Sequence, residues 1–176
     1  MGSEIKVRIR AATRADIPGV VQCDLTATAP GEDIGFGGPM SERTFADEGR
    51  LNSAWKDPNR VDSLEVIVAL LDGQVVGFVT VEDRGEVLEL HTIDVLGEFQ
   101  RRGVGRQLVR WVEERASKGG KQAVTLGTSR NAEGVAWKSL PWWLSLGYRI
   151  TGEEQNAWTR SIGPRVREIR MRKELA

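Results

Sequence analysis

The sequence predicts a mixed α/β (α+β) fold in which a mostly antiparallel central sheet carries helices on both faces. Three observations predict it. Two apolar runs, Leu64–Leu71 and Val75–Val81, are joined by Asp72-Gly73, a hairpin turn signal. Asp83-Arg84-Gly85 turns the chain again into Glu86–Val95, giving a three-stranded meander. An amphipathic helix and a buried strand, Ala123–Leu126, then follow, so that strand should return parallel to the third.

The elements before the meander read more weakly. Ile5, Val7 and Ile9 alternate with charged residues and suggest a first strand. Thr13, with Asp16 three residues on, opens a helix whose apolar stripe is Ile17, Val20, Val21 and Leu25. Ala29 to Pro39 is rich in Gly and Pro and reads as a loop. Ser41 to Trp55 is a candidate second helix with poor apolar spacing.

After the meander the pattern sharpens. Val104, Leu108, Trp111, Val112 and Arg115 mark a helix that Lys118-Gly119-Gly120 stops. Ala132–Leu146 is expected to be helical with an interruption at Pro141, and Gly147 closes it. Two last strands are expected at Tyr148–Thr151 and Val166–Met171.

Composition narrows the function classes. At 176 residues the chain is expected to form a single domain, 1–176, able to bury roughly 70% of the surface its unfolded form exposes. Lys plus Arg and Asp plus Glu are equal at 25 each, so no net field draws the chain to nucleic acid or an anionic membrane. Cys23 is the only cysteine, which excludes an internal disulfide and a CxxC metal pair. Charged residues Glu4, Lys6, Arg8 and Arg10 interrupt the first ten positions, unlike a signal peptide. No run reaches the ~18 apolar residues of a membrane helix. The expected localisation is cytoplasmic.

The stretch from Val95 to Gly105 carries the chemistry. It lies between a strand and a helix. Gly103 and Gly105 remove side chains where backbone must approach something closely. The N–H groups from about Gln100 to Gly105 face outward at a helix N-terminus, and Arg101, Arg102 and Arg106 add fixed positive charge. That arrangement suits a pyrophosphate. The dinucleotide fingerprint would need a third Gly where Leu108 stands, and the Lys-Ser/Thr of a P-loop is missing.

Gln100-x-x-Gly103-x-Gly105 resembles the Q/R-x-x-G-x-G/A signature of the GCN5-related N-acetyltransferase (GNAT) superfamily, and the order of elements is similar along the whole chain. The resemblance implies a GNAT fold and an acetyl-coenzyme A dependent N-acetyltransferase. In it, Ile93, Val95, Gln100, Arg101, Arg102, Gly103, Val104, Gly105 and Arg106 would bind acetyl-coenzyme A, the cosubstrate. The amide of Val95 or Leu96 would polarise the thioester carbonyl. Asn131 would contact the pantetheine arm, although it is spaced differently from the family's Asn. No metal is implied.

An amine with a pKa near ~10 must lose a proton before it attacks. Glu89 and His91 are two apart on a strand, hence expected on one face, and are the candidate catalytic base. Glu89 stands where the histone acetyltransferase branch carries its base. Serotonin N-acetyltransferase has histidines at both positions. By strict alternation Asp94 falls on the face opposite His91. Glu32, Asp33, Asp47 and Glu48 lie where the family covers its acceptor site; of these, Glu32 and Asp33, with Trp143, are the candidate substrate-binding residues. Trp143 also replaces the family's Tyr near the departing thiolate, with Ser139 one turn before it and Tyr148 beyond the helix stop.

The expected partner is a small-molecule or peptide amine, with no nucleic acid and no membrane, and homodimer formation is left open. Direct attack in a ternary complex is favoured, because Cys23 has no evident base for a covalent route. The rivals are transfer of a longer acyl group, a catalytically silent acyl-coenzyme A binding module, and a nucleic-acid binder using Arg101, Arg102, Arg106 and Arg110. The zero net charge speaks against the last.

Overall fold

A computed structural model describes residues 3–26, 43–130 and 133–176. Its strands are β1 (Arg8–Ala11), β2 (Trp55–Lys56), β3 (Arg60–Val61), β4 (Leu64–Leu71), β5 (Gln74–Asp83), β6 (Val87–Val95), β7 (Ala123–Arg130), β8 (Arg149–Glu154) and β9 (Arg167–Glu174). They form one sheet in the order β2-β3-β4-β5-β6-β7-β9-β8, with β1 also paired to β4. The helices are α1 (Ile17–Thr26), α2 (Glu48–Ala54), α3 (Val104–Lys118), α4 (Ser139–Ser145) and α5 (Ala157–Ile162).

Asp72 and Gly73 both have positive φ, 49° and 79°, as a tight hairpin turn requires. β6 and β7 pair parallel while the other strand pairs of the sheet are antiparallel, so the expected mixed sheet is present. Two apolar clusters cover its faces. Val104, Leu108, Val109 and Val112 of α3 pack with Ile67, Val79, Leu88, Leu90 and Leu126 on one side. Ile17, Val20, Val21 and Cys23 of α1 pack with Val66, Val68, Phe78 and Leu51 on the other.

Some boundaries differ from the sequence reading, each for a local reason. The first strand starts at Arg8 because Ile5 N–H donates to Arg102 O at 3.0 Å and Val7 N–H to Gln107 Oε1 at 3.1 Å, which ties the chain to α3 instead. Asp16 reaches back to Thr13 N–H at 2.8 Å, but the turn it caps is 3₁₀ before α1 begins at Ile17. The candidate second helix shrinks to Glu48–Ala54, capped by Asp47, which accepts from Arg50 N–H at 2.9 Å. The helix expected from Ala132 starts only at Ser139. Pro141 sits in its first turn, where its missing N–H has no intrahelical acceptor to lose. α5 was not expected; Asn156 and Thr159 cap it reciprocally.

Glu89 ties three strands of the sheet together. It is 3% exposed and takes a two-pronged bond from Arg170 of β9, with Nη1 to Oε2 at 2.8 Å and Nη2 to Oε1 at 2.6 Å. Thr125 Oγ1 of β7 donates to the same carboxylate. Burial alone would raise its pKa, but the Arg170 and Thr125 bonds outweigh it and hold the carboxylate below its ordinary 4.5.

A group with a depressed folded pKa stabilises above its unfolded value and loses that contribution as pH falls through the folded one. We therefore expect Glu89→Gln to cost on the order of 2 kcal/mol at neutral pH, less than a fully buried pair because Arg170 keeps some solvent. Urea unfolding of both proteins should show the difference intact at pH 7 and shrinking below about pH 4.5, near the ordinary value.

Candidate active site

The site forms where β6 and β7 part. Their parallel pairing runs from Val87↔Ala123 to Leu90↔Leu126 and stops there. On its other edge β6 stays paired with β5, but the register shifts: Val81 lies opposite Leu90 and Thr80 opposite Thr92, leaving His91 as an extra, bulged residue. From His91 onward the β7-side edge of β6 is open.

The bulge also shifts the alternation of side chains. Leu88 and Leu90 belong to the α3-side core, and beyond the bulge Ile93 and Val95 pack there instead. Glu89, Thr92 and Asp94 therefore point to the α1 side of the sheet. Strict alternation had put Asp94 away from Glu89 and paired Glu89 with His91. Glu89 is instead taken up by Arg170 and is absent from the groove wall, whereas His91 borders the groove and bonds to Glu82 Oε1 through Nε2 at 3.3 Å. Arg84, then Ser63, with His91 adding, hold Glu82 down to about 2, so it stays an anion.

Backbone geometry defines the open edge further. Leu96 N–H donates to Val76 O at 2.8 Å, while Val95 lies opposite Gly77. In an antiparallel ladder this makes Val95 and Gly77 a non-hydrogen-bonded pair, so the N–H and C=O of Val95 turn away from β5 toward the groove. Val95 C=O accepts from Gln100 Nε2 at 3.1 Å. Leu96 N–H, the alternative oxyanion donor in the sequence reading, is occupied by Val76.

The loop after β6 brings the helix N-terminus to the same place. Arg101 takes a left-handed φ of 61° and Gly103 one of 84°, which a side chain at position 103 would strain. Gln107 N–H, bonded to Gly103 O at 3.1 Å, begins the intrahelical ladder of α3, so the N–H groups of Val104, Gly105 and Arg106 precede it. The dipole of this 15-residue helix reinforces the arginines. A β-carbon on Gly105 would meet Trp142 Cζ2 at 3.2 Å, so that glycine seats the α4 indole against the loop. Glu4 lies against Gly103 and contributes a carboxylate to the groove wall at this positive end.

The groove has a volume of about 1130 Å³ and runs from Arg101, Arg102 and Arg106 past Ile93 and Val95 to Asp24 and Asp94. The positive helix end, glycine turn and open strand edge fit a long phosphorylated ligand with an amide-bearing arm. Trp143 is 4% exposed, stacks edge-on with Tyr148 at 5.2 Å between centroids, and reaches the groove wall. Ser139 and Thr128 also border it and share a hydrogen bond of 2.7 Å. Tyr148 is directed elsewhere, its hydroxyl donating to Glu113 Oε2 at 3.0 Å. Neither Asp47 nor Glu48 lines the groove among the described residues. Asn131, Glu32 and Asp33 lie outside the described residues.

Of two buried carboxyls, Asp94 was set aside in the sequence reading and Asp24 escaped it. Asp94 is 2% exposed and Asp24, from α1, is 3% exposed, and both border the groove. Burial, then the neighbouring Asp24 carboxyl, raises Asp94 well above the usual carboxylate range. Burial, with Asp94 adding, also pushes the Cys23 thiol up to about 12, so it remains an unreactive thiol at neutral pH.

The sequence matches the Acetyltransferase (GNAT) family over residues 37–137, more than half of the chain. No curated protein matches the sequence significantly. Among solved structures, ribosomal-protein-alanine N-acetyltransferase from Brucella melitensis is 23% identical with a TM-score of 0.67, covering 96% of this chain and 99% of that one. The ribosomal-protein-S18-alanine N-acetyltransferase of Escherichia coli is 18% identical, with a TM-score of 0.67 and coverage of 97% and 95%. PaiA N-acetyltransferase from Thermoplasma acidophilum, solved with coenzyme A, is 12% identical, with a TM-score of 0.67 and coverage of 97% and 99%. At these identities the structures speak for the fold, and with the profile match the chain belongs to the GNAT acetyltransferase family.

Proposed function

We propose that this protein transfers an acetyl group from acetyl-coenzyme A to an amine by direct attack in a ternary complex. The observation that carries this reading is the outward-turned Val95 N–H on an open strand edge, a few residues from the N-terminus of α3. The pantetheine amides would extend the sheet along Ile93 and Val95. The pyrophosphate would lie on the N–H groups of the loop and α3, with Arg101, Arg102 and Arg106 adding charge. Val95 N–H would then meet the oxygen of the thioester carbonyl, where negative charge develops as the amine attacks.

The two residues that sequence offered as base take separate roles in this reading. His91, on the groove wall with Glu82 behind it, lines the way by which protons leaving the groove reach water. Glu89 positions Arg170 and the strands below the groove. Among the described residues none serves as a strong general acid to the sulfur, since a thiol pKa of roughly 8.5 already lets the thiolate depart near neutral pH. Trp143 instead packs the wall on that side.

Calorimetry with acetyl-coenzyme A tests the charge arrangement. Arg106→Glu should weaken affinity at least tenfold, and Glu4→Gln, which removes a carboxylate from the positive end, should strengthen it a few-fold. Equal affinities in all three proteins would remove the pyrophosphate from this loop. Thiol release over a panel of amines tests turnover itself, and its absence in a protein that binds the coenzyme would favour a silent binding module.

Trp143→Phe should lower kcat less than tenfold, no more than about 1.4 kcal/mol of barrier. A much larger loss in a folded variant with unchanged coenzyme affinity would give the indole N–H a catalytic role.

A further inference from the structure

The groove ends on its α1 side at Asp24 and Asp94. Both oxygens of Asp94 and Oδ2 of Asp24 lack a hydrogen-bond partner among the described residues. A buried carboxylate without donors is costly, so a native protein retains such atoms where something completes them. The surroundings of Asp94 are largely defined. From α1 it faces Asp24 and the un-ionised Cys23; Arg43 lies 3.7 Å from Asp24 Oδ2 through Nη2. Its own strand contributes His91 and Thr92 to the same wall. Burial and the Asp24 carboxyl beside it favour the neutral form of Asp94 in the free protein. Asp94 is also the neighbour in sequence of Val95, whose N–H faces the groove.

We propose that the Asp24–Asp94 pair receives the acceptor as an ammonium ion and takes the proton that the amine must lose. The assignment rests on the acetyl-transfer reading above and gives the acceptor a class: a primary amine that arrives as a cation. The ammonium supplies the donors that Asp94 lacks. As the cation binds, Asp94 gives its own proton to water and is held ionised by the ammonium, while Arg43 lies beside Asp24. One N–H proton then passes to the Asp94 carboxylate, which becomes neutral, and the nitrogen lone pair is freed. The C–N bond then forms on the thioester carbon and the C–S bond breaks. The sulfur leaves with its electron pair, and the second nitrogen proton goes to the thiolate or to water. The Asp94 carboxylate, its pKa raised by burial and by Asp24, is a stronger base for this exchange than an ordinary aspartate.

Two readouts on the acetyl-coenzyme A complexes of wild type, Asp94→Asn and Asp24→Asn test the pair. Carbon-13 NMR of the aspartate carboxyls should show Asp94 titrating above the ordinary carboxylate range in wild type and moving toward acid in Asp24→Asn. An ordinary acidic titration of Asp94 in wild type overturns the proposal. Thiol release is then followed with n-butylamine and putrescine, which are cations at neutral pH, and with aniline, which is neutral. Asp94→Asn should lower kcat for the alkylamines about a hundredfold or more, regain part of it as pH rises, and leave coenzyme affinity unchanged. Turnover of aniline, which needs no prior deprotonation, should fall far less. Asp24→Asn, with Asp94 in place, should show a smaller loss and a pH profile displaced toward acid. Alkylamine kcat within threefold of wild type in Asp94→Asn overturns the pair while leaving acetyl transfer standing. Absence of turnover by wild type with all three amines overturns the transfer reading and the pair's role with it.

Discussion

The site depends on one interruption of the sheet: the extra residue, His91, that β6 carries opposite β5. A continuous ladder would satisfy the backbone of β6 on both edges and leave nothing for a ligand to pair with. The bulge separates β6 from β7 after Leu90 and opens the edge that holds Val95. The same residue shifts side-chain alternation, so Ile93 and Val95 pack toward α3 while Asp94 turns toward α1. One inserted residue thus sets the backbone donor, the groove and the buried carboxyl. Glu89, clamped to Arg170 and Thr125 just before the bulge, holds the three strands together below the point where they diverge.

Charge is divided along the groove, although the chain as a whole is neutral. Arg101, Arg102, Arg106 and the α3 N-terminus make one end positive, and Asp24 and Asp94 set two carboxyls at the other, beside Arg43. In the proposed reaction the coenzyme pyrophosphate would lie at the first end and the amine at the second, and they would meet near Val95. Net charge reports nothing of this, because the separation arises only when α1, β6 and α3 pack on one sheet.

The central strands were legible because their signals are local: the positive φ of Asp72 and Gly73 is written in the residue types, and Leu64–Leu71 was bounded correctly from its apolar run. The phosphate loop was legible for the same reason, since Gly103 marks a turn of φ 84°, which favours glycine. The bulge was not, for no residue type marks His91 as inserted; the shift appears only against Thr80 and Val81 across the sheet. That single miss paired Glu89 with His91 and set Asp94 aside. Pairing across distance hid the rest: Arg170, 81 residues from Glu89, claims its carboxylate, and Asp24 reaches Asp94 from another helix. The late start of α4 was obscured by Gly134 and Ala136, the latter bridged to Arg130 of β7.

In the proposed reaction the Val95 N–H is the backbone donor at the reacting thioester. Amide hydrogen exchange, read residue by residue with and without acetyl-coenzyme A, measures this most directly. Val95 N–H has no acceptor in β5, so it should exchange readily in the free protein and become strongly protected in the complex, together with the first turn of α3. Protection confined to other segments, with Val95 exchanging equally in both states, would contradict the account.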